Sequence, residues 1–379
     1  MKKKLILLKI AILVLVGCAS KKLITDKIDE NQTIIEKVVE KIDKEEVKEI
    51  KLELTGLYKE NEEVLNFINY MVENHNFKYN DLIYTFSQVT FQQKALDKVL
   101  GVKKKKKAVP KKRIKSNKKK VIWGSWDRYK RIFISNKRVN MGVDYWNQYK
   151  DYLDKAYEVY GVPPEYILGI LGVETIFGNY LGEYPVFDTL STLTFESNRR
   201  QNFFKNELEE FLLMIKNENL IINNIMGSYA GAIGLGQFMP SNYKFFAVDF
   251  NEDGIIDLWN PEDAIGSVAN YFAQHNWKKD LPVTTRAKYR GTRFKKFKTG
   301  YRKTYSQKRL KKYKIKAREK FNSKRVRLIK LKKGKYDELW MASKNFYVIT
   351  RYNHSSYYAM VVHQLGNKIK EQYLKQFKD

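Results

Sequence analysis

The chain has 379 residues, 43% of them hydrophobic and 14% aromatic. That is enough length for two or three ordinary domains and enough apolar mass for a sizeable core, so a wholly disordered chain is excluded. The formal charge is +30, but residues 101–120 hold 12 basic and no acidic residues and residues 281–340 hold 24 basic and 3 acidic, which leaves the rest near neutral. The single cysteine excludes an internal disulfide framework and a cysteine-based zinc site. The four histidines (His75, His275, His354 and His363) form no metal-ligand pair at helical spacing, which argues against a zinc enzyme.

In chain order, residues 1–17 pair a lysine-rich start with a mostly apolar run from Leu5 to Val16. This is the pattern of an export signal, too short to span a bilayer as a mature helix. It ends at Leu15-Val16-Gly17-Cys18, which resembles a bacterial lipobox, so Cys18 is the expected lipidation site. The alternative is an ordinary signal peptide with an incidental cysteine. Residues 18–62 mix Lys, Glu and Ile and predict a lipid-anchored tether or a helical segment. Residues 63–100 predict more apolar helices. The lysine run in 101–122, broken by Pro110, cannot build a core and predicts a solvated linker.

Residues 123–280 carry most of the apolar periodicity. Pro163 and Pro164 open a predicted helix, since proline is tolerated in the first turn. Positions 167, 170, 171, 174 and 177 then share one face as Ile, Ile, Leu, Glu and Phe, with Gly178 as the expected C-cap. Glu174 is the one ionisable group on this stripe. A carboxyl among apolar neighbours favours its neutral form, the state a general acid needs near neutral pH. A glutamate paired with a core Arg or Tyr would give the same pattern. Gly227 to Pro240 places four glycines within ten residues, spaced neither as a Walker loop nor as a dinucleotide fingerprint, and Ser228 lies outside any G-x-S-x-G elbow. Asp249, Asn251 and Asp253 followed by Gly254 fit D-x-[DN]-x-[DN]-G, with the Ile255 carbonyl as a further calcium donor; Asn260 stands where the bidentate glutamate of such loops is expected. Residues 281–338 alternate Arg and Lys with Tyr, Phe, Val and Ile and predict short strands or an exposed basic lobe. Residues 339–379 return to a helical pattern.

Taken together, Tyr160-Gly161-Val162-Pro163-Pro164, Gly172-Val173-Glu174-Thr175, Gly227 to Pro240, Ala264 to Phe272 and Asn345 to Ser355 resemble the membrane-bound lytic murein transglycosylase B family. The resemblance spans roughly residues 64–100, 125–280 and 336–366. It implies a mainly α fold: a lysozyme-like α domain with an EF-hand-like loop, a smaller basic lobe able to contain strands, and a C-terminal segment that completes the cleft. It implies non-hydrolytic cleavage of the β-1,4 bond between N-acetylmuramic acid and N-acetylglucosamine, giving 1,6-anhydromuramic acid products, with Glu174 as acid and then base. An ordinary glycosidase uses two carboxylates; Glu183, Asp188 and Glu196 are nearby in the chain, but none sits on the Glu174 stripe and each reads rather as a turn or cap residue.

By the same resemblance, Ser228 and Asn353 hydrogen-bond near the reacting centre. Gln237, Tyr271, Tyr352, Tyr358 and Tyr129 line the cleft, with tyrosine faces stacking on sugars unless they are plain core residues. Arg199 and Arg200 meet the carboxylates of the stem peptide unless they form a solvated helix face. Asp263 completes a structural calcium site with Asp249, Asn251, Asp253 and Ile255, or else makes only a helix-dipole contact; no organic cofactor is implied. The implied partners are peptidoglycan glycan strands and the membrane, through the N-terminal lipid, on the periplasmic side of the outer membrane. A monomer is expected, other cell-wall enzymes are left open as partners, and nucleic acid is not expected. Other classes remain: a hydrolytic muramidase, a non-enzymatic wall-binding lipoprotein, and a polyanion binder that uses the basic segments, which could equally be simply solvated.

Overall fold

A computed structural model describes residues 51–102 and 122–377. The expected export signal, Cys18, most of the expected tether and most of the lysine-rich segment fall outside the described residues. The chain divides into compact units at residues 1–53 and 54–379, and every element below belongs to the second. Its buried core already includes Leu54 and Tyr58.

Fourteen α-helices are described. The first three are α1 (Glu62–His75), α2 (Tyr79–Ser87) and α3 (Gln93–Leu100). After the linker come α4 (Ser125–Phe133), α5 (Asn136–Gln148), α6 (Lys150–Tyr160) and α7 (Pro164–Glu174). Then follow α8 (Val186–Phe195), α9 (Gln201–Asn217), α10 (Pro240–Phe246) and α11 (Pro261–Gln274). The basic lobe adds α12 (Gln307–Lys312), and the chain closes with α13 (Lys344–Tyr352) and α14 (Ser356–Lys375). Strands β1 (Tyr184–Pro185) and β2 (Met226–Gly227) pair antiparallel at the entrance to the glycine-rich segment.

The central helix is α7. Ile167, Leu168, Ile170 and Leu171 are all fully buried, so it is apolar all round rather than amphipathic, as suits a helix inside a core. It packs on α14, α5, α6 and α11. Glycine permits the closest of these crossings: a Cβ at Gly169 would lie 2.6 Å from the Val362 carbonyl oxygen of α14. The expected stripe through Phe177 is corrected here, as is the expected C-cap. Helix α7 ends at Glu174, with Thr175 as its cap, and Ile176 and Phe177 both take positive φ, at 54° and 56°. A β-branched residue rarely adopts that region, so the turn after Glu174 is strained.

The basic lobe is a five-stranded antiparallel sheet in the order β4-β6-β7-β3-β5. Its strands are β3 (Thr284–Lys288), β4 (Tyr305–Ser306), β5 (Lys316–Ala317), β6 (Arg325–Lys332) and β7 (Asp337–Ala342). Because strand side chains alternate, β6 serves two cores. Val326 and Leu328 join Phe294, Phe297, Leu310 and Phe321 in a small core of the lobe, whereas Ile329 and Leu331 join the large helical core.

Candidate active site

Three segments distant in sequence meet at the end of α7. The first is that helix terminus. Thr175, fully buried, donates from Oγ1 to the Leu235 carbonyl at 2.9 Å and accepts from Gly178 N–H at 3.2 Å. These bonds tie the strained turn to the glycine-rich segment. The second segment is that glycine-rich loop, closed by reciprocal backbone bonds between Ile233 and Phe238. A side chain at Gly236 would crowd the loop, since its Cβ would lie 2.9 Å from the Tyr352 hydroxyl. The absence of that Cβ lets Tyr352 donate to the Gly236 carbonyl at 2.6 Å. The third segment is the α13–α14 corner, where Ser355 caps α14 by accepting from Tyr358 N–H at 3.3 Å.

Glu174 sits where these meet. It is partly exposed as a residue, yet its carboxyl is desolvated enough to be pushed up from 4.5 to about 7. Burial is the main cause, opposed by a hydrogen bond that the Tyr358 hydroxyl donates to Oε1. Its place in the last turn of α7 acts in the same direction as burial, because the carbonyl end of a helix disfavours a carboxylate. The Glu174 charge in turn helps hold the Tyr129, Tyr352 and Tyr358 hydroxyls in their protonated form.

Among the described residues no second carboxylate enters this electrostatic set. Asp188 is held elsewhere, by Thr90 N–H and Gln92, and acts with Glu196 on Tyr58. Glu183 acts on Lys98.

The structure distributes the remaining predicted residues unevenly. Ser228 Oγ accepts from Ala232 N–H at 3.0 Å and Ala230 N–H at 3.3 Å, which leaves its O–H to donate. Asn353 is exposed at the end of α13. Gln237, at φ 52°, donates from Nε2 to the Leu181 and Gly234 carbonyls, both at 3.1 Å, so it braces the loop. Tyr271 and Tyr358 are only 6% and 3% exposed, and Tyr271 is covered by His275, Phe246 and Tyr352. Their faces are walls rather than open stacking platforms, which corrects the expectation for these two. Tyr129 and Tyr352 keep partial exposure. Arg199 and Arg200 are exposed; Arg199 Nη1 donates to the Val99 carbonyl at 2.9 Å, and the Arg200 guanidinium lies 3.9 Å from the Phe203 ring centre.

The acidic loop after α10 has the donor types of a hard-cation site. Asp249 accepts from Asp253 N–H at 3.2 Å and Gly254 N–H at 2.8 Å, and Gly254 makes the sharp turn at φ 87°. Asp263 is fully buried and committed to the backbone. Its Oδ1 takes Phe250 N–H at 2.7 Å and Asn251 N–H at 3.3 Å, and its Oδ2 takes Asp257 N–H at 2.8 Å. Burial raises its pKa, and the neighbouring Asp249 charge adds to the rise. Among the described residues no three His, Cys, Asp or Glu side chains converge as a ready cage. The side-chain oxygens of Asp249, Asn251 and Asp253 thus fit calcium by type, while Asp263 closes the loop on itself.

Sequence reasoning missed the role of Thr175 and the cationic pocket around Arg351. The only available signal for that pocket was the i, i+4 spacing of Tyr347 and Arg351.

The chain matches the family model described as the transglycosylase SLT domain over residues 59–367. It is 40% identical over 319 residues to the membrane-bound lytic murein transglycosylase B of Escherichia coli strain K12, covering 84% of this chain and 85% of that one. Among solved structures it is similar to the E. coli lytic transglycosylase Slt35 in complex with calcium, with TM-score 0.78, 38% identity, and coverage of 86% of this chain and 98% of that one. It is also similar to the soluble lytic transglycosylase SltB1 of Pseudomonas aeruginosa, with TM-score 0.72, 38% identity, and coverage of 82% and 99%.

Proposed function

The chain belongs to the transglycosylase SLT domain family, and from that premise we propose that Glu174 is the single acid and base with which it cuts peptidoglycan. It is a lytic transglycosylase, a lyase that acts on the glycan of peptidoglycan. In the proposed step, protonated Glu174 donates to the oxygen of the β-1,4 bond between N-acetylmuramic acid and N-acetylglucosamine, and that bond breaks with the electron pair going to the leaving sugar. The resulting carboxylate takes the proton of the muramic C6 hydroxyl, whose oxygen closes onto C1 as the 1,6-anhydro ring. No water is consumed, and Glu174 finishes protonated.

One observation carries the assignment: the carboxyl of Glu174 is desolvated to about 7 beside a tyrosine donor, with no second carboxylate among the described residues in its electrostatic set. A pKa near the working pH serves donation and withdrawal by one group. Ser228 and Asn353 supply polar contacts to the sugar around the reacting carbon. Tyr129 and Tyr352 face the glycan, and Arg199 and Arg200 meet stem-peptide carboxylates.

Calcium would be held by the side-chain oxygens of Asp249, Asn251 and Asp253 and the Ile255 carbonyl, with Asp263 bracing the loop behind them. The ion would supply charge neutralisation and stiffness. A membrane anchor at Cys18 places the enzyme on the periplasmic face of the outer membrane. No described helix is long and apolar enough to cross a membrane. The test is digestion of purified sacculi by the wild type and by Glu174→Gln, with mass analysis of the products. Anhydro-muropeptides from the wild type alone are expected. Reducing ends would indicate hydrolysis, and full anhydro release by the variant would remove Glu174 from the role.

A further inference from the structure

Between α13 and the basic lobe lies an open concavity of about 270 Å³, lined by Tyr301, Arg302, Tyr347, Arg351 and His354. Four cations crowd onto two tyrosine rings there. The Arg351 guanidinium lies 4.3 Å from the Tyr347 ring centre and 5.6 Å from that of Tyr301. Arg327 lies 4.6 Å and Lys344 5.2 Å from the Tyr347 centre, and Arg302 lies 5.7 Å from that of Tyr301.

Ring faces attract cations but leave their charge in place. Among the described residues none of these four cations forms an ion pair. The acids of the lobe hairpin are spent elsewhere, Glu338 on Arg286 and Lys333, and Asp337 on Lys330. Arg351 Nε is buried without a hydrogen-bond partner. A buried guanidinium donor left unpaired is costly, and an anion that reached it would relieve that cost.

The position of the pocket narrows the choice of anion. Arg351 directly precedes Tyr352 and Asn353, and its charge is felt by the cleft-wall residue Tyr271. A group that reaches the pocket from a bound glycan must therefore be a short branch of the strand itself. Carboxylates are the anionic groups on the peptide branches of peptidoglycan, and a planar carboxylate matches the guanidinium fork.

We infer that the pocket between Tyr301, Arg302, Tyr347 and Arg351 binds a stem-peptide carboxylate of the strand held in the cleft. This inference rests on the reading of the chain as a peptidoglycan lytic transglycosylase. It adds to the Arg199–Arg200 pair a second peptide contact, made by the basic lobe and α13.

The experiment uses the full chain, two substrates and three variants. The substrates are peptide-bearing strands and strands stripped of peptide by an amidase, with anhydro ends as the common readout. On peptide-bearing strands, Arg351→Gln is expected to raise KM about tenfold with kcat little changed, the size of one lost charge-assisted hydrogen bond. Arg302→Gln, at an exposed side chain, should raise KM severalfold, and Arg351→Lys should recover part of the loss. The KM increase should be absent on stripped strands. Equal increases on both substrates, or no increase on peptide-bearing strands, would overturn the proposal. If Arg351→Gln does not fold, Arg302→Gln alone decides between these outcomes. Wild-type protein that releases no anhydro ends from either substrate would instead remove the lytic reading, a result distinct from any change in KM.

Discussion

Replacing Glu174 by glutamine keeps the side-chain volume and the acceptor for the Tyr358 hydroxyl, but removes the ability to ionise. Between pH 4.5 and about 7 the folded wild type holds a proton on Glu174 that the unfolded chain has already released. Stability contributed by this group therefore falls as pH rises through that window. From 4.5 to about 7, at about 1.4 kcal/mol per pH unit, the loss amounts to about 3 kcal/mol. The variant escapes it, so Glu174→Gln should match the wild type at pH 4 and exceed it by about 3 kcal/mol at pH 8. Urea denaturation of both proteins across pH 4–8 measures the difference directly, because every other group titrates alike in the two. Over the same range, release of anhydro products should fall by at least ~10²-fold in the variant. A stability difference that stays flat from pH 4 to 8 would show that the carboxyl is solvated, and the argument for a neutral general acid would fail with it.

Tyr358→Phe removes the donor that opposes burial at Glu174, so the alkaline limb of the kcat/KM profile should move up by roughly one pH unit while kcat falls; an unmoved limb would show that the hydroxyl does not tune the acid. Thr175→Val leaves the Leu235 carbonyl and Gly178 N–H without their buried partner, which should cost about 2 kcal/mol by denaturant titration and lower kcat as the Glu174 turn loosens. Chelation should lower Tm by several degrees and millimolar calcium should restore it, since an ion at 100 times its Kd adds about 2.7 kcal/mol. Asp253→Ala should lose that response, and a chelator-insensitive Tm would withdraw the calcium site.

Where local chemistry sets the structure, the sequence was legible. Pro163 and Pro164 announce α7, the D-x-N-x-D-G run announces the acidic loop, and the alternation in Val326–Leu331 announces β6. The end of α7 was misread for a physical reason: Ile176 resists positive φ intrinsically, and only the Thr175 bonds and the packed loop impose it. The burial of Tyr271 and Tyr358 was equally hidden, because an aromatic residue reads alike in a core and in a cleft wall. Strand order in the lobe depends on pairings far apart in sequence, such as Thr284 with Ala342. For the same reason Tyr301 reaches Arg351 only through tertiary folding.

Protonation arithmetic ties the local strain to the chemistry. With an ordinary carboxyl at 4.5, only about 0.3% of Glu174 would carry a proton at pH 7, too little to serve as the acid. Pushed far above 7, it would stay protonated and would gain little by surrendering its proton to the glycosidic oxygen. Burial and the helix terminus raise the group, and the Tyr358 hydroxyl holds it back near 7. That balance needs the carboxyl at the end of a buried helix, within reach of α14, which is where the strained Ile176–Phe177 turn stops α7. Relaxing the turn would release the Thr175 bonds that hold the end of α7 against the glycine-rich loop. The strained turn helps hold the acid in its place, and a substitution that relieves the strain should gain stability while losing turnover.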